Sequence, residues 1–225
     1  FRSRLLPLYS GPEVEIRIGN GPVFRVSEKL FSNKSTYFRS MFGGSFVESA
    51  THSAVMSEIE GCVSVNSFRL LVQWIYIGRV EFEVLRSPEA MISRAIEFAR
   101  LASMCDVRGV ERHAADRIVE VIKQFPAPNT SFGVRSPNAN TFHLTHQHIE
   151  WATQLPKGHP VRGVLAAASV EGYMRQKEFR FYDEVTSNGS FAMDVLEELR
   201  NVLMQHGDMV YTDPFTSNVF RLLSD

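Results

Sequence analysis

Apolar and polar residues alternate twice near the start of this chain. Val14, Ile16 and Ile18 are separated by Glu15 and Arg17, and a second short run covers Val23–Val26. A two-residue period is that of a strand with one buried face. Gly19-Asn20-Gly21-Pro22 between the runs predicts a hairpin turn. The pattern then becomes helical. Ser27 can cap a short helix through Leu30 and Phe31; Ser35 caps a second, whose Phe38, Met41 and Phe42 share a face, and Gly43-Gly44 ends it. Ala54–Ile59 predicts a weaker third strand. Val65–Ile77 is apolar nearly all round, interrupted beyond its first turn by Arg69 and Gln73. A helix of that kind must be covered on several sides, which predicts that it is the central one. Gly78 ends it, and Val80–Val84 alternates as a short strand. Pro88–Cys105 is an amphipathic helix with Ile92, Ala95, Ile96, Ala99 and Ala102 inward, and Asp106 is placed to cap a following helix over Val107–Lys123.

Residues 125–141 are rich in Pro, Asn and Ser and lack periodicity, as a linker does. Helical patterns resume over Thr145–Leu155, Val161–Tyr173, Lys177–Val185 and Ser190–Met204. The expected organisation is a lead-in (1–12), a mixed domain (13–124), the linker (125–141), a helical subdomain (142–206) and a tail (207–225). The fold class is α+β: a small sheet capping a helical cluster, followed by an α-helical C-terminal extension.

Composition narrows the function. The 225 residues carry 44% hydrophobic side chains and 17 Phe, enough for a sizeable core, and a net charge of −1. Without a basic excess, neither nucleic acid nor an anionic membrane surface is an expected partner. The apolar run around Leu70–Ile77 is too short to span a bilayer. The sequence begins at Phe1 rather than Met, so a native start upstream is expected, and Phe1–Tyr9, broken by Pro7, does not read as a signal peptide. Cys62 and Cys105 lie in apolar surroundings, the setting of reduced thiols in an intracellular protein of the cytoplasm or nucleus.

Chemistry-bearing motifs are sparse. His143, His146 and His148 have His159 nearby, but positions 146 and 148 do not share a helix face and no Cys or carboxylate except Glu150 completes a tetrahedral set locally, so surface histidines at a helix start are expected and no metal. The adjacent pairs Asp183-Glu184 and Glu197-Glu198 diverge on a helix. Gly19-x-Gly21 is followed by Pro22 and a strand rather than a phosphate-cradling helix. No catalytic residue and no cofactor are expected.

Several motifs in order resemble the BTB/POZ family, specifically short fungal BTB proteins. Over about Glu13–Lys123 they are the strand Val14–Gly19, then Phe24-Arg25-Val26, Leu30 and Ser35-Thr36-Tyr37-Phe38, then Phe68 with Trp74-Ile75-Tyr76-Ile77-Gly78, then Glu97–Ala102. Glu13 and Ser27 stand where the family usually has Asp and His; Ser27 still serves as a helix cap. Farther on, Trp151, Pro156–Arg162 and Phe191–Leu196 resemble the segment that commonly follows the domain in the fungal proteins.

The resemblance implies a non-catalytic protein–protein interaction module. Phe46-Val47-Glu48, just after the second helix, resembles the contact by which family members dock on cullin scaffolds of ubiquitin ligases. Phe46 either inserts into a partner groove or packs back under its own loop. Pairing of BTB domains through the first strand and early helices would put Val14, Ile16, Ile18, Leu30 and Phe31 at a homodimer surface, with the lead-in Leu5, Leu6 and Leu8 as further candidates, if they do not simply fill the monomer core. The expected function is a dimerising adaptor, a ubiquitin-ligase substrate receptor that recruits a cullin. The alternative is an oligomerisation scaffold in transcriptional or structural assemblies that binds no cullin.

Overall fold

The computed structural model describes residues 11–128, 136, 138–205, 210–212, 214–215 and 219–221. The lead-in leucines Leu5, Leu6 and Leu8 lie outside them. Strand β1 (Glu13–Ile18) alternates as its sequence does, with Val14, Ile16 and Ile18 fully enclosed and Glu13, Glu15 and Arg17 outside. It pairs antiparallel with β2 (Val23–Ser27), Ile16 opposite Phe24, and parallel with β3 (Ser53–Met56), Ile16 opposite Ala54. The sheet order is β2-β1-β3, so the chain must cross over between β1 and β3. The crossover carries α1 (Glu28–Lys34), α2 (Thr36–Gly43) and a single turn, α3 (Val47–Thr51), that periodicity did not predict.

The caps predicted at Ser27 and Ser35 are present. The Ser27 hydroxyl accepts the Leu30 amide at 3.3 Å. The Ser35 hydroxyl accepts the Phe38 amide at 3.1 Å and donates to the Cys105 carbonyl at 2.5 Å. One small side chain thereby starts α2 and ties it to the end of a helix seventy residues away.

Beneath the sheet lie α4 (Val65–Ile77), α5 (Pro88–Met104) and α6 (Glu111–Gln124). The central helix is α5, not the more apolar α4. It packs against α4, α6 and the later α7 (His146–Thr153), and Ala95, Ala99 and Ala102 on its buried surface keep its neighbours close. Helix α4 turns Ile77 to solvent, 63% exposed, and leaves Val72, Trp74 and Tyr76 half-buried. Position in the stack, rather than overall hydrophobicity, decides which helix is central.

Two expectations are corrected between these helices. Val80–Val84 is not a strand. Its Glu81 amide donates to the Gln73 side chain at 3.1 Å rather than to a neighbouring strand, and Phe82 packs edge-on against Phe98. Asp106 does not cap the following helix, which starts at Glu111. It sits at φ 49° with its carboxylate accepting the Thr36 hydroxyl at 2.7 Å. Gly109, at φ 88°, brings the chain against the Trp74 ring, a conformation a side chain would strain, so the helix cannot begin before it.

The C-terminal region contains a short 3-10 turn (Ala139–Thr141), α7, α8 (Pro160–Arg175), α9 (Tyr182–Ser187) and α10 (Gly189–Gln205). Where a helix was expected over Lys177–Val185, Phe179 and Phe181 are buried ahead of α9 as anchors. Within the expected tail, β4 (Val210–Thr212) and β5 (Val219–Arg221) pair antiparallel. The apolar core is continuous from the sheet to Leu144, Ile149, Leu155, Leu165 and Phe191.

Candidate interaction site

Phe46 faces out. Helix α2 ends on Gly43-Gly44, and the chain turns there so that Phe46 becomes the residue preceding α3. It offers no side-chain cap; its carbonyl accepts the Ser49 amide at 3.1 Å, and α3 closes on His52 in the left-handed region at φ 49°. The Phe46 ring rests against the backbone at Gly44, where a Cβ would stand 3.0 Å from it, and is 60% exposed. Val47 beside it is 74% exposed. Two large apolar groups on one short projection are unfavourable in a chain that meets only water, because apolar surface gains from being covered. Glu48 is half-buried in the first turn of α3. Its charge, after burial and the Cys105 thiol, helps push the Tyr37 hydroxyl above its usual range.

The other sequence-derived site behaves differently. Val14, Ile16, Ile18, Leu30 and Phe31 are each 0 or 1% exposed in the single chain. Phe31 packs edge-on against Phe38 at 5.0 Å and beside Phe68 and Tyr76. These side chains belong to the chain's own core and form no surface. The outward residues of the same strand are charged, with Arg25 donating to Glu15 at 3.1 Å.

The histidines have separate partners. His143 pairs with Glu89 at 2.7 Å, a contact that with the Ser87 hydroxyl pulls the Glu89 carboxyl down to about 2. His146 meets Glu184. His148 is not a surface residue as expected but 1% exposed. Its Nδ1 accepts the Thr145 amide at 3.2 Å, so its Nε2 donates to the Ser93 hydroxyl at 2.8 Å, and burial depresses its pKa to about 4. Among the described residues no three metal-ligating side chains converge. Cys62 and Cys105 are free and buried; burial raises both thiols, Cys105 to about 12.

Sequence reasoning missed the polar joint between the two halves. Arg100, on the buried face of α5, donates to the Gly61 carbonyl at 2.5 Å, the Glu60 carbonyl at 3.3 Å and the Gln154 side chain. Gly61 has φ 64°, and a Cβ there would overlap the Trp151 ring. Arg162 and Asp194 form a buried two-bond pair at 2.8 and 2.9 Å, and the guanidinium also donates to the Leu155 and Ser190 carbonyls. The two C-terminal motifs noticed in the sequence, Pro156–Arg162 and Phe191–Leu196, therefore meet through one ion pair. An arginine at a helical inward position was the available signal, since a buried guanidinium needs several acceptors.

A three-stranded mixed sheet over α4–α6, with a helical crossover between β1 and β3, defines an α+β class of interaction domain, here extended, among the described residues, by four further helices. Residues 9–120 match the family model of the BTB/POZ domain. The chain carries a BTB/POZ domain over that span, and such a domain is a protein–protein interaction module. No curated protein matches the chain significantly. No helix among the described residues is long and apolar enough to cross a membrane.

Proposed function

We propose that this chain is a non-catalytic adaptor that presents Phe46 and Glu48 to a cullin-type scaffold of a ubiquitin ligase. The exposure of Phe46 carries the proposal. The ring stands just after a Gly-Gly helix end, beside a still more exposed valine and two residues from a carboxylate. An aromatic anchor inserted into a partner groove is worth about 2 kcal/mol or more, and a flanking carboxylate adds a hydrogen-bond acceptor. Titration of the purified chain with a cullin N-terminal domain tests it. Saturable binding at micromolar concentration is expected, lost in Phe46→Ala and weakened in Glu48→Ala, with thermal melting unchanged in both. Absence of binding by the wild-type chain favours a scaffold that acts without a cullin.

A second copy of the chain is the other partner of this adaptor. With Val14, Ile16 and Ile18 enclosed, pairing through β1 falls to its outward side, Glu13, Glu15 and Arg17, and to the sheet edges, where Val55 is 73% exposed. Such a surface would be isologous. Light scattering across a concentration series decides it: a monomer at every concentration removes the dimer.

A further inference from the structure

Ser45 stands immediately before Phe46 on the projection. It is exposed, and among the described residues its hydroxyl makes no hydrogen bond. The backbone on either side of it is extended, with Gly44 at φ −90°, ψ −166° and Phe46 at φ −79°, ψ 162°. The turn that follows, α3, has no side-chain cap and no buried residue. A single helical turn is far shorter than a helix that holds by itself, so without buried contacts it opens at little cost. The segment from Gly44 into α3 can therefore leave the surface as an extended strand while the core stays closed. A protein kinase reads its substrate in that form.

The side chains of the segment define the class of kinase. Glu48 lies three residues after Ser45, and it is the one charged residue between Gly43 and Thr51. A carboxylate at that spacing is what acidophilic serine kinases select by charge. Ser57 and Ser103 are also exposed with an acid three residues on, Glu60 and Asp106, but both are held in place. Ser57 follows the Met56 carbonyl, which accepts the Gly19 amide at 2.8 Å, and precedes Ile59, whose amide donates to the Val63 carbonyl at 3.0 Å. Ser103 lies in the last turn of α5 between the buried residues Ala102 and Cys105. Drawing either serine out would break backbone bonds or core contacts, and Ser45 has neither to break.

We propose that Ser45 is the phosphorylation site of an acidophilic serine kinase, and that its phosphate closes the Phe46 contact. The second half rests on the docking role proposed above and adds its regulation. In the transfer, the Ser45 Oγ bonds to the γ-phosphorus of ATP as the bond to the ADP oxygen breaks, and the hydroxyl proton passes to the kinase's carboxylate base. The product carries a charge of about −1.5 to −2 at neutral pH. That charge stands next to Phe46 and three residues from Glu48, on a segment without Lys or Arg. His52, just beyond, already lies 3.4 Å from Glu28. An apolar groove that admits the ring would have to take an unpaired dianion out of water beside it, which opposes insertion.

The full chain, incubated with magnesium ATP and a recombinant acidophilic serine kinase and then mapped by tandem mass spectrometry, tests the site. Phosphorylation at Ser45 is expected, absent in Ser45→Ala and slowed about tenfold or more in Glu48→Gln. Modification of Ser57 or Ser103 with Ser45 untouched, or no modification, overturns the site. The phosphorylated chain is then titrated with a cullin N-terminal domain. Its affinity is expected to be about tenfold or more below that of the unmodified chain, with the melting temperature unchanged, and Ser45→Ala taken through the same kinase treatment should bind as the unmodified chain does. Equal affinity with and without the phosphate overturns the closing role and leaves docking intact. No binding by the unmodified chain overturns docking and the closing role together, while the mapping still decides the site.

Discussion

The projection at Gly44–Ser49 stands on a single helical turn and the joint around Arg100, Arg162 and His148 on helices, and their surroundings are opposite. At the projection, large apolar side chains face water and make few demands on the rest of the chain. At the joint, charged and polar side chains are enclosed and nearly every donor has an acceptor. Burial without partners costs a polar group dearly, so the joint must be saturated to exist. Exposed apolar surface costs far less, so the projection can stand in water without partners and stay open to being covered. Removing a side chain should therefore damage folding at the joint and binding at the projection.

The largest expected effect separates them at once. Arg162→Ala strands the Asp194 carboxylate between α8 and α10 and should lower stability by about 3–5 kcal/mol in urea unfolding, the usual loss when one member of a buried pair is removed. The Arg162→Ala/Asp194→Ala double variant should recover part of it. A loss near zero in the single variant would show that the pair is solvated.

Acid should act at the same joint. His148 is neutral in the folded chain, with a pKa of about 4 against 6.5 when free. Its contribution to stability is complete above pH 6.5 and lost as the pH falls towards 4, because the unfolded chain takes up the proton first. That loss is on the order of 3 kcal/mol. Unfolding titrations at pH 7 and pH 4.5 should show the fall, and His148→Gln should flatten it.

A smaller effect tests the Trp151–Gly61 contact. Gly61→Ala meets both the positive φ and the indole, and should cost about 1–3 kcal/mol. Adding Trp151→Ala relieves the overlap but not the backbone strain, so the alanine substitution should cost less in that background without becoming neutral. At the projection, Phe46→Ala should change stability by no more than about 0.5 kcal/mol, as exposed substitutions do, while abolishing the proposed cullin contact. If its thermal melting falls as far as that of a joint variant, Phe46 is structural and the contrast between the regions fails.

The legibility of the chain follows the same division. The hairpin, the caps at Ser27 and Ser35 and the helices containing Phe68 and Ile92 could be read from sequence because burial of one face imposes a period, and a cap needs one small oxygen-bearing residue at one place. The BTB/POZ motifs could be read because their residues make specific long-range ties, such as the Ser27 amide to the Tyr76 hydroxyl at 2.8 Å and the Trp74 indole to the Arg108 carbonyl at 3.2 Å. The triplet Phe46-Val47-Glu48 could be located but not oriented, since three residues have no period from which to infer a buried side.

Most local elements, the α+β class and the interaction-domain family were thus legible in the sequence alone, because a buried face imposes a short period and the family's motifs follow one another in a set order. Tertiary structure decided what spacing cannot express. It placed α5 rather than α4 at the centre, since coverage depends on neighbours far along the chain. It enclosed Val14, Ile16, Ile18, Leu30 and Phe31, since an alternating strand declares one buried face but not what buries it. It joined Arg162 to Asp194, since polar satisfaction is a property of three-dimensional surroundings. And it turned Phe46 to solvent, where a partner can reach it.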